Sequence, residues 1–201
     1  MMRWQKNRMW CTGLFLTCLV LLLAGCEGGG SDNCGGIDDI VSCVLITNIA
    51  PSNAEVDIAD CDDDGVPDPP VSDATVAFTF VNDAFPSFID GVTPQNLSVT
   101  IQSVSITYTP QCAGGQVCPA LSSYSEPLTI FLGENGGTAT ANITLASAFT
   151  QTQYAGAIPD PNNPASYIAN YTFRVQTNFF EDNFSLQASV PFSIGNFDSC
   201  L

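Results

Sequence analysis

Between residues 57 and 73 the chain gathers its densest set of groups suited to a hard cation. Asp60-Cys-Asp-Asp-Asp-Gly-Val-Pro-Asp68 places carboxylates at relative positions 1, 3, 5 and 9, with glycine at position 6. Alternate aspartates along a tightly turning loop aim their oxygens at one point, the glycine permits the turn, and oxygen-only ligation suits Ca²⁺. Asp60, Asp62, Asp64 and Asp68 are thus the candidate calcium ligands, and Asp57 or Asp73 stands where it would complete the shell. The competing reading is an acidic, solvated turn pinned by a disulfide at Cys61.

The segment departs from the EF-hand pattern at its end. Position 12 is Val71 rather than a bidentate glutamate, and Pro69-Pro70 blocks an exiting helix. It more closely resembles the aspartate-rich calcium repeats of thrombospondin type 3, which need no flanking helices. Those repeats share ions in tandem, and this chain has one copy. The resemblance therefore implies a weak site, of order 10⁻⁴ to 10⁻³ M as in extracellular modules.

Catalytic patterns are scarce. There is no histidine, which removes Ser-His-Asp and Cys-His nucleophile pairs. Phosphate loops, dinucleotide fingerprints and the G-x-S-x-G elbow are missing as well. Two carboxyl groups suffice for glycoside hydrolysis, and Glu126, Glu134 and Glu181 are the glutamates well inside the strand-rich region, but nothing in their spacing brings two together. The expectation is a protein that is not an enzyme.

A second chemically informative residue is Cys26. It follows a basic start (Arg3, Lys6, Arg8), an apolar run from Cys11 to Leu23 and the small pair Ala24-Gly25, the order of a secretory signal peptide over residues 1–25. The run falls short of the ~20 apolar residues that span a bilayer. Leu23-Ala24-Gly25-Cys26 resembles the bacterial lipobox, in which the cysteine thiol takes a diacylglyceryl group before cleavage. That resemblance implies Cys26 as the lipidation site and membrane attachment through its acyl chains, each buried CH₂ contributing ~0.8 kcal/mol. Glu27 stands where some lipoproteins carry an inner-membrane retention aspartate, so the expected address is the bacterial envelope at the outer membrane.

Charge narrows the partners. The formal net charge is −16, and loss of Arg3, Lys6 and Arg8 with the leader would leave Arg174 as the one basic residue. Nucleic-acid binding depends on lysine and arginine neutralising phosphates and is excluded. Divalent cations, or an envelope protein partner, remain.

Of nine cysteines, six follow Cys26: Cys34, Cys43, Cys61, Cys112, Cys118 and Cys200. In an exported chain these read as disulfide candidates. Cys112 and Cys118 are the local pair, closing a short Gly-Gly loop.

The elements that would carry these residues are strands. Val76, Phe78 and Phe80 alternate, as do Leu97, Val99 and Ile101. The series resumes out of phase at Val104, Ile106 and Tyr108, which predicts a bulge near Gln102-Ser103 or a break into two strands. Ala139 to Leu145 continues the theme. Tyr167 through Phe179 and Phe184 through Ile194 form the clearest pair, joined by a hairpin at Glu181-Asp182-Asn183. No segment after the leader shows three turns of helical periodicity. Glu27 to Gly36, rich in glycine and polar residues, reads as a tether.

The expected organisation is a signal peptide (1–25), an acylated cysteine and tether (26–39), and a single immunoglobulin-like or fibronectin-like antiparallel β-sandwich (40–201) of seven or eight strands. From Leu97 to Leu145 and from Tyr171 to Asp198 the chain resembles a domain of many small bacterial lipoproteins that have no settled activity. The leading functional expectation is a non-catalytic envelope lipoprotein in structure, adhesion or assembly. The alternatives are a calcium-dependent binding module and, third, a carboxylate hydrolase.

Overall fold

Period-two alternation of apolar residues becomes paired strands in the computed structural model, which describes residues 34–37, 40–58, 72–84, 97–112, 118–157, 164–179 and 181–197. All of them lie in one unit, Asp32–Leu201. The strands are β1 (Cys34–Ile37), β2 (Ile40–Ala50), β3 (Ala54–Asp57), β4 (Ala74–Ala84), β5 (Val99–Pro110), β6 (Tyr124–Leu132), β7 (Gly137–Ala146), β8 (Ala165–Thr177) and β9 (Asn183–Gly195). Among the described residues one helix, α1 (Ala148–Ala155), lies between β7 and β8.

One sheet has the order β1-β2-β4-β7 and the other β3-β9-β8-β5-β6. Pairing is antiparallel except between β3 and β9, which run parallel. The chain changes sheets between β2 and β3, through a cis Ala50-Pro51 bond. The fold is the expected all-β sandwich, with the crossed-over strand order of immunoglobulin-like domains. It has nine strands among the described residues. β1 includes Cys34–Ile37, a stretch read from sequence as tether; its short pairing with β2 brings backbone of low side-chain content onto the sheet edge.

The inner faces meet around aromatic rings. Phe78 and Phe80 of β4 are fully buried, as is Phe173 of β8, and Tyr171 is 1% exposed. Phe78 packs edge-on against Tyr171 and Phe173 at centroid distances of 4.9 and 5.3 Å, and Phe80 against Phe173 at 5.2 Å. Burial of each such side chain contributes ~1.5–3 kcal/mol, with a further increment from edge-to-face geometry.

The phase change in β5 is a bulge. Its register against both β6 and β8 shifts between Ile101 and Ser103, while Ile101 and Val104 stay buried on either side. Consequently Gln102 and Ser103, although adjacent, both lie off the core face. The hairpin between β8 and β9 also forms as expected, closed by Thr177 N–H donating to Asp182 O at 2.9 Å. β8 stops at Thr177, so Phe179, expected to continue the inward series, sits in the turn and is 74% exposed.

α1 was not expected. It is two turns long, too short for a periodic stripe to be read. Ser147 caps it, its hydroxyl accepting from Thr150 N at 3.1 Å, and Asp73 accepts from Ala148 N at 2.8 Å, so two first-turn N–H groups find partners.

At one end of the sandwich a buried polar knot joins the elements. Asn82 of β4 donates through Nδ2 to Leu97 O (2.7 Å) and Gly133 O (2.8 Å), and Ser42 exchanges two 2.8 Å bonds with the Leu97 backbone. Gly137 fits the same end because a Cβ there would strike the Gly133 backbone.

Candidate functional site

Two edge strands, β6 of the five-stranded sheet and β7 of the four-stranded one, lie on the same open side of the sandwich without pairing with one another. β6 alternates strictly. Tyr124, Glu126, Leu128 and Ile130 are half-buried, whereas Ser125, Pro127, Thr129 and Phe131 are exposed. Pro127 is accommodated because an edge strand spares one row of N–H donors.

This alternation turns a carboxylate and a phenol toward the inter-sheet gap. Thr144 Oγ1 of β7 donates to Glu126 Oε2 at 3.2 Å. Tyr171 of β8 donates to Thr144 O at 3.2 Å, and Tyr108 of β5 donates to Leu145 O at 2.8 Å. Carbonyls of the β7 edge thus receive hydroxyl donors from the opposite sheet. The Tyr124 hydroxyl is buried beside Thr144 yet has no hydrogen-bond partner.

Burial keeps these phenols protonated. It pushes Tyr108 up to about 12, with the nearby Thr150 hydroxyl opposing and Glu126 reinforcing the shift. Tyr124 and Tyr171 are raised further, again chiefly by desolvation, and Glu126 adds to both. Asp73 also acts on Tyr124. At neutral pH the group is therefore a set of hydroxyl donors around one carboxylate, suited to binding and to stitching the sheets together. Tyr154 and Tyr167 serve a similar structural end near α1: Tyr154 Oη accepts from Ala165 N at 3.1 Å, and Tyr167 donates to Pro119 O at 2.8 Å.

The residues singled out from sequence are distributed unevenly. Cys26, Asp60, Asp62, Asp64, Asp68, Cys61 and Cys200 lie outside the described residues. The two aspartates flanking the loop are engaged by backbone: Asp57 Oδ1 accepts from Phe197 N at 3.2 Å, and Asp73 caps α1 as above. Among the described residues no three acidic or cysteine side chains group in a way that would hold a metal, and no helix is long and apolar enough to cross a membrane. Cys112 and Cys118 form a disulfide with Cα atoms 6.2 Å apart, and Cys43 is disulfide-bonded too. Cys34 lies in β1, where it registers with Cys43. Glu126 faces inward, Glu134 sits in the turn before β7, and Glu181 takes a left-handed conformation (φ 55°) in the β8–β9 hairpin.

Sequence reasoning did not single out the outer face of the five-stranded sheet. Outward positions of β5, β8 and β9 are almost all serine, threonine, asparagine or glutamine. Many are bonded to each other across strands, as in Ser105–Ser125 (2.9 Å), Ser189–Asn170 (2.9 Å) and Asn170–Thr109 (3.0 Å). The signal was available in the polar half of each alternation. No family model, no characterised protein and no solved structure matches this chain.

Proposed function

We infer that the protein is a lipid-anchored, non-catalytic component of a bacterial envelope, its sandwich serving in surface structure, adhesion or assembly. The observation that carries this reading is Leu23-Ala24-Gly25-Cys26 at the end of a short apolar run, followed by a polar spacer and a β-sandwich. A sandwich held together by aromatic packing and hydroxyl donors is a durable scaffold for exposed faces, which fits a role in contact rather than in turnover. Metabolic labelling with a radioactive or clickable fatty acid tests the anchor. Label should enter the wild-type chain and be absent from Cys26→Ser, which should also leave the membrane fraction; an unlabelled wild-type chain overturns the reading.

The spacing of Asp60, Asp62, Asp64 and Asp68 favours a second role, a calcium-dependent contact surface. Millimolar Ca²⁺ should then raise the thermal midpoint of the wild-type chain and leave Asp62→Asn with Asp64→Asn unchanged. A wild-type midpoint indifferent to Ca²⁺ dismisses this second role.

A further inference from the structure

We propose that the outer face of the five-stranded sheet, centred on the β5 bulge, is a binding platform for an uncharged polysaccharide. The chain carries 20 acidic residues, yet β5, β8 and β9 contain none, and the one on β6, Glu126, turns inward. Across β6, β5, β8 and β9 this face is a neutral window in an acidic chain, with Arg174 as its one charged outward side chain; Glu55, exposed on β3, stands at the far edge beyond β9. The bulge brings Gln102 out beside Gln176 of β8, and the two amides are hydrogen-bonded to each other. Arg174, exposed on β8, registers between Ser103 and Ser185 and donates to Asn183 Oδ1 at 3.3 Å. One row across the strands reads Phe131, Thr100, Gln176, Asn183. It spans about 14 Å at ~4.8 Å per strand. Phe131, 61% exposed, offers a flat ring at one end of that row.

The chemistry of this face selects its occupant. A stable protein interface needs an apolar, desolvated centre, and here the centre is amides and hydroxyls. Anionic polymers meet the repulsion of the whole molecule. A neutral sugar chain supplies what remains: hydroxyls that both donate to and accept from Gln and Asn amides, and ring faces that pack on an aromatic side chain. The side chains are already ordered by bonds to one another, Ser105 to Ser125 across strands at 2.9 Å and Thr100 Oγ1 to Asn178 Oδ1 in the β8–β9 turn at 2.8 Å, which lowers the entropic cost of binding.

This inference deepens the adhesive role inferred above and shares with it only the setting outside the cytoplasm. The test is native affinity electrophoresis of the full-length chain in detergent micelles, through gels containing a β-glucan, a mannan, a galactan or a polyuronate. At least one of the three uncharged polysaccharides should retard the chain. Phe131→Ala, and Gln102→Ala combined with Gln176→Ala, should each weaken that affinity about tenfold or more, while Phe131→Tyr and Thr140→Ala on the opposite sheet leave it intact. Circular dichroism verifies that each variant is folded. Unchanged mobility in all three neutral gels, retardation by the polyuronate alone, or equal weakening by Thr140→Ala overturns the proposal. So does a doubled mass in solution that Phe131→Ala abolishes, which would assign the face to a second copy. An acylated chain that binds no glycan sinks this inference alone, and a glycan-binding chain without acylation sinks only the anchor.

Discussion

The centre of the sandwich and its open side solve one problem, holding two sheets together, with different chemistry. At the centre, Phe78, Phe80 and Phe173 interlock with ring centroids about 5 Å apart and no polar atom among them. At the open side, where β6 and β7 leave both sheets with an edge, the same layer is built from Tyr108, Tyr171, Tyr124 and Glu126; the Tyr108 and Tyr171 hydroxyls reach the β7 backbone, and Glu126 accepts from the Thr144 side chain. Where the sheets overlap fully, burial alone suffices. Where an edge leaves backbone carbonyls facing the interior, each needs a donor, and a phenol supplies one while keeping its ring in the core.

Alkaline titration should act on the molecule most strongly. Every tyrosine is raised above its ordinary value of 10 by burial, Tyr108 to about 12. Because the folded values exceed the unfolded ones, this contribution is complete below pH 10 and is lost as pH rises through 12. Phenolate absorbance near 295 nm should therefore appear in one step with loss of circular dichroism. Independent ionisation near pH 10 in a still-folded chain would erase the distinction between buried and ordinary phenols.

Truncation at the centre comes next. Phe173→Ala should cost ~3–5 kcal/mol in urea unfolding, since it opens a cavity touching both Phe78 and Phe80. A loss below ~1 kcal/mol would mean that the aromatic cluster does not dominate sheet packing.

At the open side, Tyr171→Phe and Tyr108→Phe each keep the ring but remove the donor to Thr144 O or Leu145 O, for an expected loss of ~1 kcal/mol. Tyr124→Phe should differ in sign. Its buried hydroxyl has no hydrogen-bond partner, so removing it should be neutral or stabilising by up to ~1 kcal/mol. If all three substitutions destabilise equally, the hydroxyl contribution is not local to the β7 carbonyls.

The inner face of the fold was legible where alternation is strict. Val76, Phe78 and Phe80, the Val104 series and Ala139 to Leu145 are core-facing as read, and the slip at Gln102-Ser103 was visible as a change of phase. β6 was hidden because its inward positions include Tyr124 and Glu126 and its middle holds Pro127, a pattern without an apolar stripe. The tyrosines could be picked out by type. Which carbonyl each one meets depends on β5 and β8 standing opposite β7, a matter of topology that no local window contains. The same holds for the neutral outer face, which exists only once four separated strands lie side by side.

The parallel pair β3–β9 also decides how the molecule responds to being pulled. Ala54 registers with Phe192 and Asp57 with Gly195, so the chain enters β3 at one end of the pair and leaves β9 at the other. Tension applied just before Ala54 and just after Gly195 runs along these two strands in opposite directions and loads their hydrogen bonds together, in shear, rather than opening them one by one. Held at one of those points and tugged at the other, the sandwich is mechanically a clasp.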